Sequence, residues 1–162
     1  MKYLVLVSYE ASGESAERVR ERAKDLIGSD ANISVRKVSG LVTSPQEVFR
    51  RWKKLGKLKQ EMFVVIALDT QNSIIKSKVV SLGTLNASLI HPREVFNFAI
   101  KNTAASIIIA HNHPSGSVDP SEEDLAVTTR LRDAGHLLGI QLLDHVIITR
   151  DSYKSLREFG LW

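Results

Sequence analysis

The chain contains no cysteine, and this absence removes several classes of site at once. It excludes disulfide bonds, iron–sulfur clusters, cysteine-ligated zinc and a thiol nucleophile. A chain without cysteine fits a reducing compartment. The start, MKYLVLVSYE, is too short for a signal peptide, so we expect a cytoplasmic protein.

Long apolar runs are also absent. No segment approaches the ~18 apolar residues of a membrane span, and we therefore expect no membrane partner. The formal net charge is +4. That charge permits contact with nucleic acid without requiring it.

Strand and helix patterns alternate along the 162 residues, 43% of which are hydrophobic. Apolar and β-branched runs predict strands near residues 2–8, 32–39, 62–69, 73–83, 105–110 and 140–149. Amphipathic stretches predict helices near residues 12–28, 44–58, 91–102 and 120–139. The strand at 73–83 is expected to pair antiparallel with the strand at 62–69. This order predicts a three-layer α/β or α+β domain.

The stretch AHNHPSGSVDPSEED, residues 110–124, carries two of the five histidines. Because alternate residues of a strand point to the same side, His111 and His113 can present their rings to one point while Asn112 faces away. Asp124 falls in the first turn of the next predicted helix. Two imidazoles and one carboxylate suit Zn²⁺ with a fourth position open to water, as in catalytic zinc sites.

Each of these residues also has an ordinary structural explanation. Ser121 and Asp124 match a helix capping box, in which the aspartate serves only the helix N-terminus. Histidines at a strand end can be polar loop residues. The joint pattern H-x-H-P-x6-S-x-x-D is much rarer by chance than any of its parts, so it favours a metal site.

Two other enzyme classes do not fit the sequence. The chain contains no H-E-x-x-H, which excludes zincin peptidases. The tripeptide HNH does not indicate an HNH nuclease, because the residues of that motif are scattered over a longer segment.

The segment HNHPSGSVDPSEED resembles the metal motif of the RadC family, a branch of the JAB/MPN superfamily whose metal-binding members carry the JAMM motif. The similarity extends through GTLNASLIHPREVFNFAI, LLDHVIIT and YKSLREFGL and covers residues 41–162. It implies a three-layer αβα, cytidine-deaminase-like JAB/MPN fold with a mixed central sheet. It also implies a zinc-dependent hydrolase of JAMM type, a metalloprotease acting on peptide or isopeptide bonds of a peptide or protein substrate.

Carried over residue by residue, the resemblance assigns the metal ligands to His111, His113 and Asp124. It matches the motif serine to Ser121, a candidate oxyanion donor. It matches the upstream glutamate, which acts through the metal-bound water, to Glu61, the candidate general base. Glu94 competes with Glu61, but its place in HPRE is already explained by a helix start. Glu61 opens the apolar strand MFVVIAL without such a role.

Two features depart from the family pattern. Full-length RadC proteins carry an N-terminal helix-hairpin-helix region, whereas residues 1–40 predict a β-α-β-like extension of unassigned role before the RadC-like domain at 41–162. Asn112 lies at the centre of the H-x-H, as in RadC, where deubiquitinating JAMM enzymes usually carry Ser or Thr. The resemblance therefore does not imply ubiquitin-type substrates for this protein.

Three further histidines and one aspartate remain to be explained. Asp144 and His145 are neighbours on the strand LLDHVIIT and must point to opposite faces. They cannot both line one site, so we expect structural roles, with one of the two orienting a ligand. His91 and His136 are expected at helix ends.

The run RRWKKLGKLK, residues 50–59, concentrates positive charge. On a helix, one face carries Arg50, Lys53, Lys54 and Lys57, and the opposite face carries Val48, Trp52 and Leu55. A solvated helix face is the ordinary explanation, and a strip for weak, non-specific DNA contact is the functional one. The latter supports an alternative to the hydrolase, a DNA-associated binding module with a structural or vestigial metal site. The RadC name is itself tied to DNA repair.

Overall fold

The computed structural model describes residues 4–9, 17–18, 32–37, 40–82 and 90–162. Among these residues the strands are β1 (Leu4–Tyr9), β2 (Asn32–Lys37), β3 (Met62–Leu68), β4 (Ile74–Leu82), β5 (Ser106–Asn112), β6 (Gln141–Ile148) and β7 (Tyr153–Ser155). The helices are α1 (Pro45–Trp52), a 3₁₀ helix that follows it (Lys53–Lys57), α2 (Pro92–Lys101) and α3 (Glu122–Leu138).

A five-stranded mixed sheet in the order β4-β3-β5-β6-β7 forms the centre of the fold. β3 runs antiparallel to both β4 and β5, and β5 runs parallel to β6. Every residue of β3 and β5 is buried, as expected for central strands covered on both faces. The predicted antiparallel pairing of the 62–69 and 73–83 strands is confirmed.

Helices cover both faces of this sheet. α2 and α3 pack on one face, where Val95 and Leu131 are fully buried. α1 and the 3₁₀ helix pack on the other, where Trp52 and Leu55 are buried. Burial of such side chains stabilises the fold by about 1.5–3 kcal/mol each. The predicted three-layer αβα architecture with a mixed central sheet is therefore confirmed.

The helix predicted over residues 44–58 changes type at its middle. Its α-helical part ends at Trp52, and the chain continues as a 3₁₀ helix. A Cβ on Gly56 would lie 2.0 Å from the carbonyl oxygen of Thr149, so the chain here passes directly against the end of β6. A side chain at position 56 would therefore clash with the backbone at Thr149. The inward orientation predicted for Val48, Trp52 and Leu55 is confirmed.

Two parts of the chain differ from or extend beyond the expected elements. β7, three residues long and antiparallel to β6, was not predicted. β1 and β2 pair in parallel as a separate two-stranded sheet. The helix predicted over residues 12–28 lies outside the described residues, apart from Glu17 and Arg18, which are helical. The division of the chain near residue 40 stays a prediction.

The helices are too short or too polar to span a membrane in the part of the chain that the structure describes. The described helix α3 is the longest at 17 residues, and it is amphipathic, with charged residues along its exposed side.

Candidate metal centre

The carboxyl end of β5 delivers both motif histidines to one place. His111 lies inside the strand and is fully buried, and His113 follows directly after it. The His113 backbone N–H donates to the Ile148 carbonyl at 3.1 Å, which ties the chain to β6. The His113 Nδ1 lies 2.9 Å from the Ser117 carbonyl oxygen. Because a carbonyl only accepts, Nδ1 carries a proton, and when the ring is neutral its lone pair lies on Nε2.

A chain of buried hydrogen bonds fixes His111 in the same tautomer. The Thr128 hydroxyl donates to the Asp124 carbonyl oxygen at 2.5 Å, so its oxygen accepts from His145 Nδ1, 2.6 Å away. His145 Nε2 then accepts from His111 Nδ1 at 2.7 Å. In this arrangement His111 Nδ1 donates, so the lone pair of the neutral tautomer lies on Nε2.

Asp124 serves two purposes at the start of α3. Its Oδ2 accepts from the Ser121 backbone N–H at 2.8 Å and from the Ser121 hydroxyl at 2.7 Å, which completes a capping box. Its Oδ1 is buried and has no hydrogen-bond partner among the described residues. The capping box predicted from the sequence is therefore present, but it occupies only one of the two carboxylate oxygens.

Three side chains that could bind a metal converge at this point. His111 Nε2 lies 2.8 Å from His113 Nε2 and 3.1 Å from Asp124 Oδ1, and His113 Nε2 lies 3.2 Å from Asp124 Oδ2. Ligands around a tetrahedral zinc ion stand about 3.3–3.5 Å apart, only slightly farther than these atoms. Two lone pairs and a carboxylate repel each other unless a proton or a cation lies between them. The group His111, His113 and Asp124 can therefore hold a metal ion.

The side chains of the cluster and the burial of the site shift the pKa values of Asp124, His113 and His145. Burial opposes ionisation of Asp124, but the His111 and His113 rings outweigh it and hold the pKa of the carboxyl well below its usual range. The hydrogen bond with Asp124 raises the pKa of His113 against the effect of burial, and the negative charge of Glu61 adds to the rise. Burial lowers the pKa of His145 well below its usual value, so that ring is neutral at pH 7.

Asp144 lies on the face of β6 opposite His145, as expected for neighbouring strand residues. It accepts hydrogen bonds from the His145 backbone N–H, the Ser155 hydroxyl and the Arg157 backbone N–H. Burial raises its pKa. Asp144 therefore fastens β7 and the C-terminal turn, while His145 is the member of the pair that contacts His111.

We expect replacement of His145 by Leu to weaken zinc binding by about 10–100-fold, the usual effect of removing a group that orients a metal-binding histidine. Without His145 Nε2, nothing selects the His111 tautomer that presents Nε2 to the site. The dissociation constant is measured by competition with a chromophoric chelator. Asp144→Asn is the matched control, because it alters the neighbouring buried residue on the opposite face. Equal zinc affinity in His145→Leu and wild type would contradict this orienting role.

Glu61 and Glu94 lie in different settings. Glu61 directly precedes β3, and the pairing of Phe63 with His111 places it opposite His113 when the antiparallel register is continued. Its negative charge contributes to raising the pKa of His113. Glu94 lies in the first turn of α2, where its half-exposed carboxylate accepts from Arg93 Nε at 3.0 Å. The predicted helix-end positions of His91 and His136 are both observed.

Two residues of the centre were missed by sequence reasoning. Thr128 is a fully buried hydroxyl one turn after Asp124, a spacing that puts both on one face of α3. Asn112 is a fully buried amide that contacts the segment before β3. The signal for each is a polar residue on an apolar face, which is visible only once that face is known to be buried.

The fold and the cluster together define an α/β domain with a group that can hold a metal ion at the carboxyl end of a central strand. The sequence profile of the RadC-like JAB domain matches residues 42–161. The chain belongs to the RadC-like JAB domain family.

Individual relatives agree with this assignment. The chain is 48% identical over 120 residues to a UPF0758 protein of Methanosarcina mazei, covering 74% of this chain and 52% of the relative. It is 51% identical over 120 residues to a UPF0758 protein of Staphylococcus haemolyticus, covering 74% and 53%. The chain thus spans about half the length of the relatives it matches.

Proposed function

We propose that this protein is a zinc-dependent hydrolase of JAMM type that cleaves a peptide or isopeptide bond of a peptide or protein substrate. The observation that carries the proposal is the convergence of two imidazole Nε2 atoms on a buried carboxylate oxygen that has no hydrogen-bond partner among the described residues. Two nitrogens and one carboxylate oxygen form a ligand set typical of catalytic zinc.

His111, His113 and Asp124 would hold the ion, each through an atom that local hydrogen bonds already orient. Bound zinc supplies a Lewis acid and lowers the pKa of a water molecule from its bulk value to about 7. The protein contributes the burial that keeps the ligand atoms in place, since His111 and Asp124 are fully buried.

Glu61 is the proposed general base. A carboxylate next to the site can accept a proton from the attacking water and pass it to the leaving amine, provided that it lies within about 2.6–3.2 Å of the group concerned. Its place opposite His113 and its electrostatic effect on that ring support this role.

Ser121 is the proposed donor to the developing oxyanion. Ser121 is an exposed residue, and its hydroxyl donates to Asp124 Oδ2. If it turned to a substrate oxygen, Asp124 Oδ2 would keep the donation from the Ser121 backbone N–H. The hydroxyl can therefore change partners without leaving this carboxylate oxygen unsatisfied.

Turnover tests the proposal directly. Zinc-loaded protein is incubated with a peptide library that includes lysine-linked isopeptides, and mass spectrometry identifies new N-termini and released lysine amines. Glu61→Gln protein with matched zinc content serves as the control. Cleavage by wild type alone would support the hydrolase, and equal cleavage in both samples would contradict it.

A second candidate function, a DNA-associated binding module, is favoured by the basic segment. Lys53, Lys54 and Lys57 are exposed along the 3₁₀ helix. Arg50 pairs with Glu47, and the Lys53 ammonium lies 5.4 Å from the centre of the Phe49 ring. Because Arg50 and Lys53 make contacts within the protein, Lys54 and Lys57 are the better candidates for phosphate contact.

If the protein binds DNA, we expect binding to be weak, non-specific and steeply dependent on salt, because phosphate contacts release counterions. Replacing Arg50, Lys53, Lys54 and Lys57 together by Gln is expected to flatten the plot of log affinity against log salt. Binding to a short duplex is measured by fluorescence anisotropy at several salt concentrations. The control removes four other exposed charges, those of Lys78, Arg93, Lys101 and Arg130. Equal slopes in the two variants would move the contact away from residues 50–57.

A further inference from the structure

The side chain of Asn112 bridges the two peptide groups on either side of Glu61. Its Oδ1 accepts from the Met62 backbone N–H at 2.8 Å, and its Nδ2 donates to the Gln60 carbonyl oxygen at 3.0 Å. Asn112 is fully buried at the end of β5. The orientation of its amide is fixed by its partners, since a backbone N–H can only donate and a carbonyl can only accept.

This bridge extends the contact between β3 and β5 beyond the last backbone pair of these two strands. The pairing of β3 with β5 begins at Phe63 and His111. One step further out, the side-chain amide of Asn112 presents an acceptor and a donor to residues 60 and 62, as a neighbouring strand would do. Strand ends fray when their backbone groups lack partners. The residues on either side of Glu61, Gln60 and Met62, instead each make a hydrogen bond to the buried Asn112 amide.

We propose that Asn112 is a positioning residue that holds the backbone of Glu61 against the metal centre, opposite His113. The inference rests on the proposed function in one respect, namely that Glu61 acts as the general base. A carboxylate must be held to within a fraction of an ångström to work as a base, and a displacement of about 1 Å can cost on the order of 10²-fold in rate. Asn112 and the proposed ligands His111 and His113 thus lie in one short segment. Because Asn112 also holds the backbone around Glu61, this segment would bring the base and the ligands together.

Asn112→Ser is the principal variant. Serine is smaller and has one hydroxyl, which cannot span the carbonyl of Gln60 and the N–H of Met62 together. We expect a roughly 10–100-fold lower kcat with little change in KM and unchanged zinc content. In a Glu61→Gln background, the same substitution should cause no further loss of kcat, because the group being positioned is gone.

Ser155→Ala is the matched control. It also removes buried hydrogen bonds, those of the Ser155 hydroxyl to Asp144, on the face of the sheet that points away from His111. A loss of kcat that merely reflects a weakened fold would occur in both variants. A loss confined to Asn112→Ser would support positioning, and equal losses would overturn it.

Hydrogen exchange of the Met62 amide gives a readout that needs no substrate. We expect its protection to fall at least 10-fold in Asn112→Ser, while that of Val65, in the middle of β3, stays unchanged. Unchanged protection of Met62 would overturn the inference, and so would lost protection with unchanged kcat. If the wild-type protein hydrolyses nothing, the proposed function fails by itself, and Met62 exchange still decides whether Asn112 holds this segment.

Discussion

Replacing Glu61 by Gln is expected to lower the rate of hydrolysis by roughly 10²–10⁴, the usual contribution of a general base. Glutamine keeps the size and shape of the side chain but cannot take a proton from water. Zinc content and the fold should stay unchanged, because the proposed ligands are His111, His113 and Asp124. The measurements are kcat on any substrate found in the peptide screen, the zinc-to-protein ratio and the circular dichroism spectrum.

Glu94→Gln is the matched control for this substitution. Glu94 pairs with Arg93 at the start of α2, where a negative charge near a helix N-terminus contributes about 0.3–1 kcal/mol. Its loss should lower stability slightly and leave turnover intact. If Glu94→Gln abolished turnover and Glu61→Gln did not, the base would have been assigned to the wrong glutamate.

The approach of His111, His113 and Asp124 could be predicted because it depends on local rules. The period of a strand puts His111 and His113 on one side, and Ser121 with Asp124 marks the start of a helix. The sequence could not decide between a capping box and a metal site, because either explanation uses the same carboxylate. The structure shows that the two are compatible, since Oδ2 serves the cap and Oδ1 has no hydrogen-bond partner within the part of the chain that the structure describes.

Other features depend on contacts between distant segments and could not be predicted. The close approach of Gly56, in the 3₁₀ helix after α1, to Thr149 joins segments far apart in the sequence. The bridge from Asn112 to residues 60 and 62 joins positions 50 and 52 residues apart. The chain from His111 through His145 to Thr128 depends on the register of β5 with β6 and on the docking of α3. No periodicity in one segment encodes such contacts.

The zinc content of the purified protein is expected to depend on His113. We expect about one zinc ion per chain in wild type and almost none in His113→Ala. Loss of a direct ligand should weaken zinc binding by more than the 10–100-fold expected for a residue that only orients a ligand. His111 and Asp124 would remain, but two ligands leave a zinc ion without the third protein group that catalytic sites use. Mass spectrometry of the metal content before and after dialysis against a chelator measures the effect.

Thermal unfolding provides a second measure of zinc binding. A ligand that binds only the folded state stabilises it by about 4 kcal/mol when its free concentration is 1,000 times its dissociation constant. Added zinc should therefore raise the Tm of chelator-treated wild type and leave the Tm of His113→Ala nearly unchanged. His136→Ala is the control, because His136 lies in the last turn of α3 and should bind zinc as wild type does. If neither chelation nor His113→Ala changed the zinc content, the ion would be held elsewhere and the centre at the end of β5 would not be a metal site.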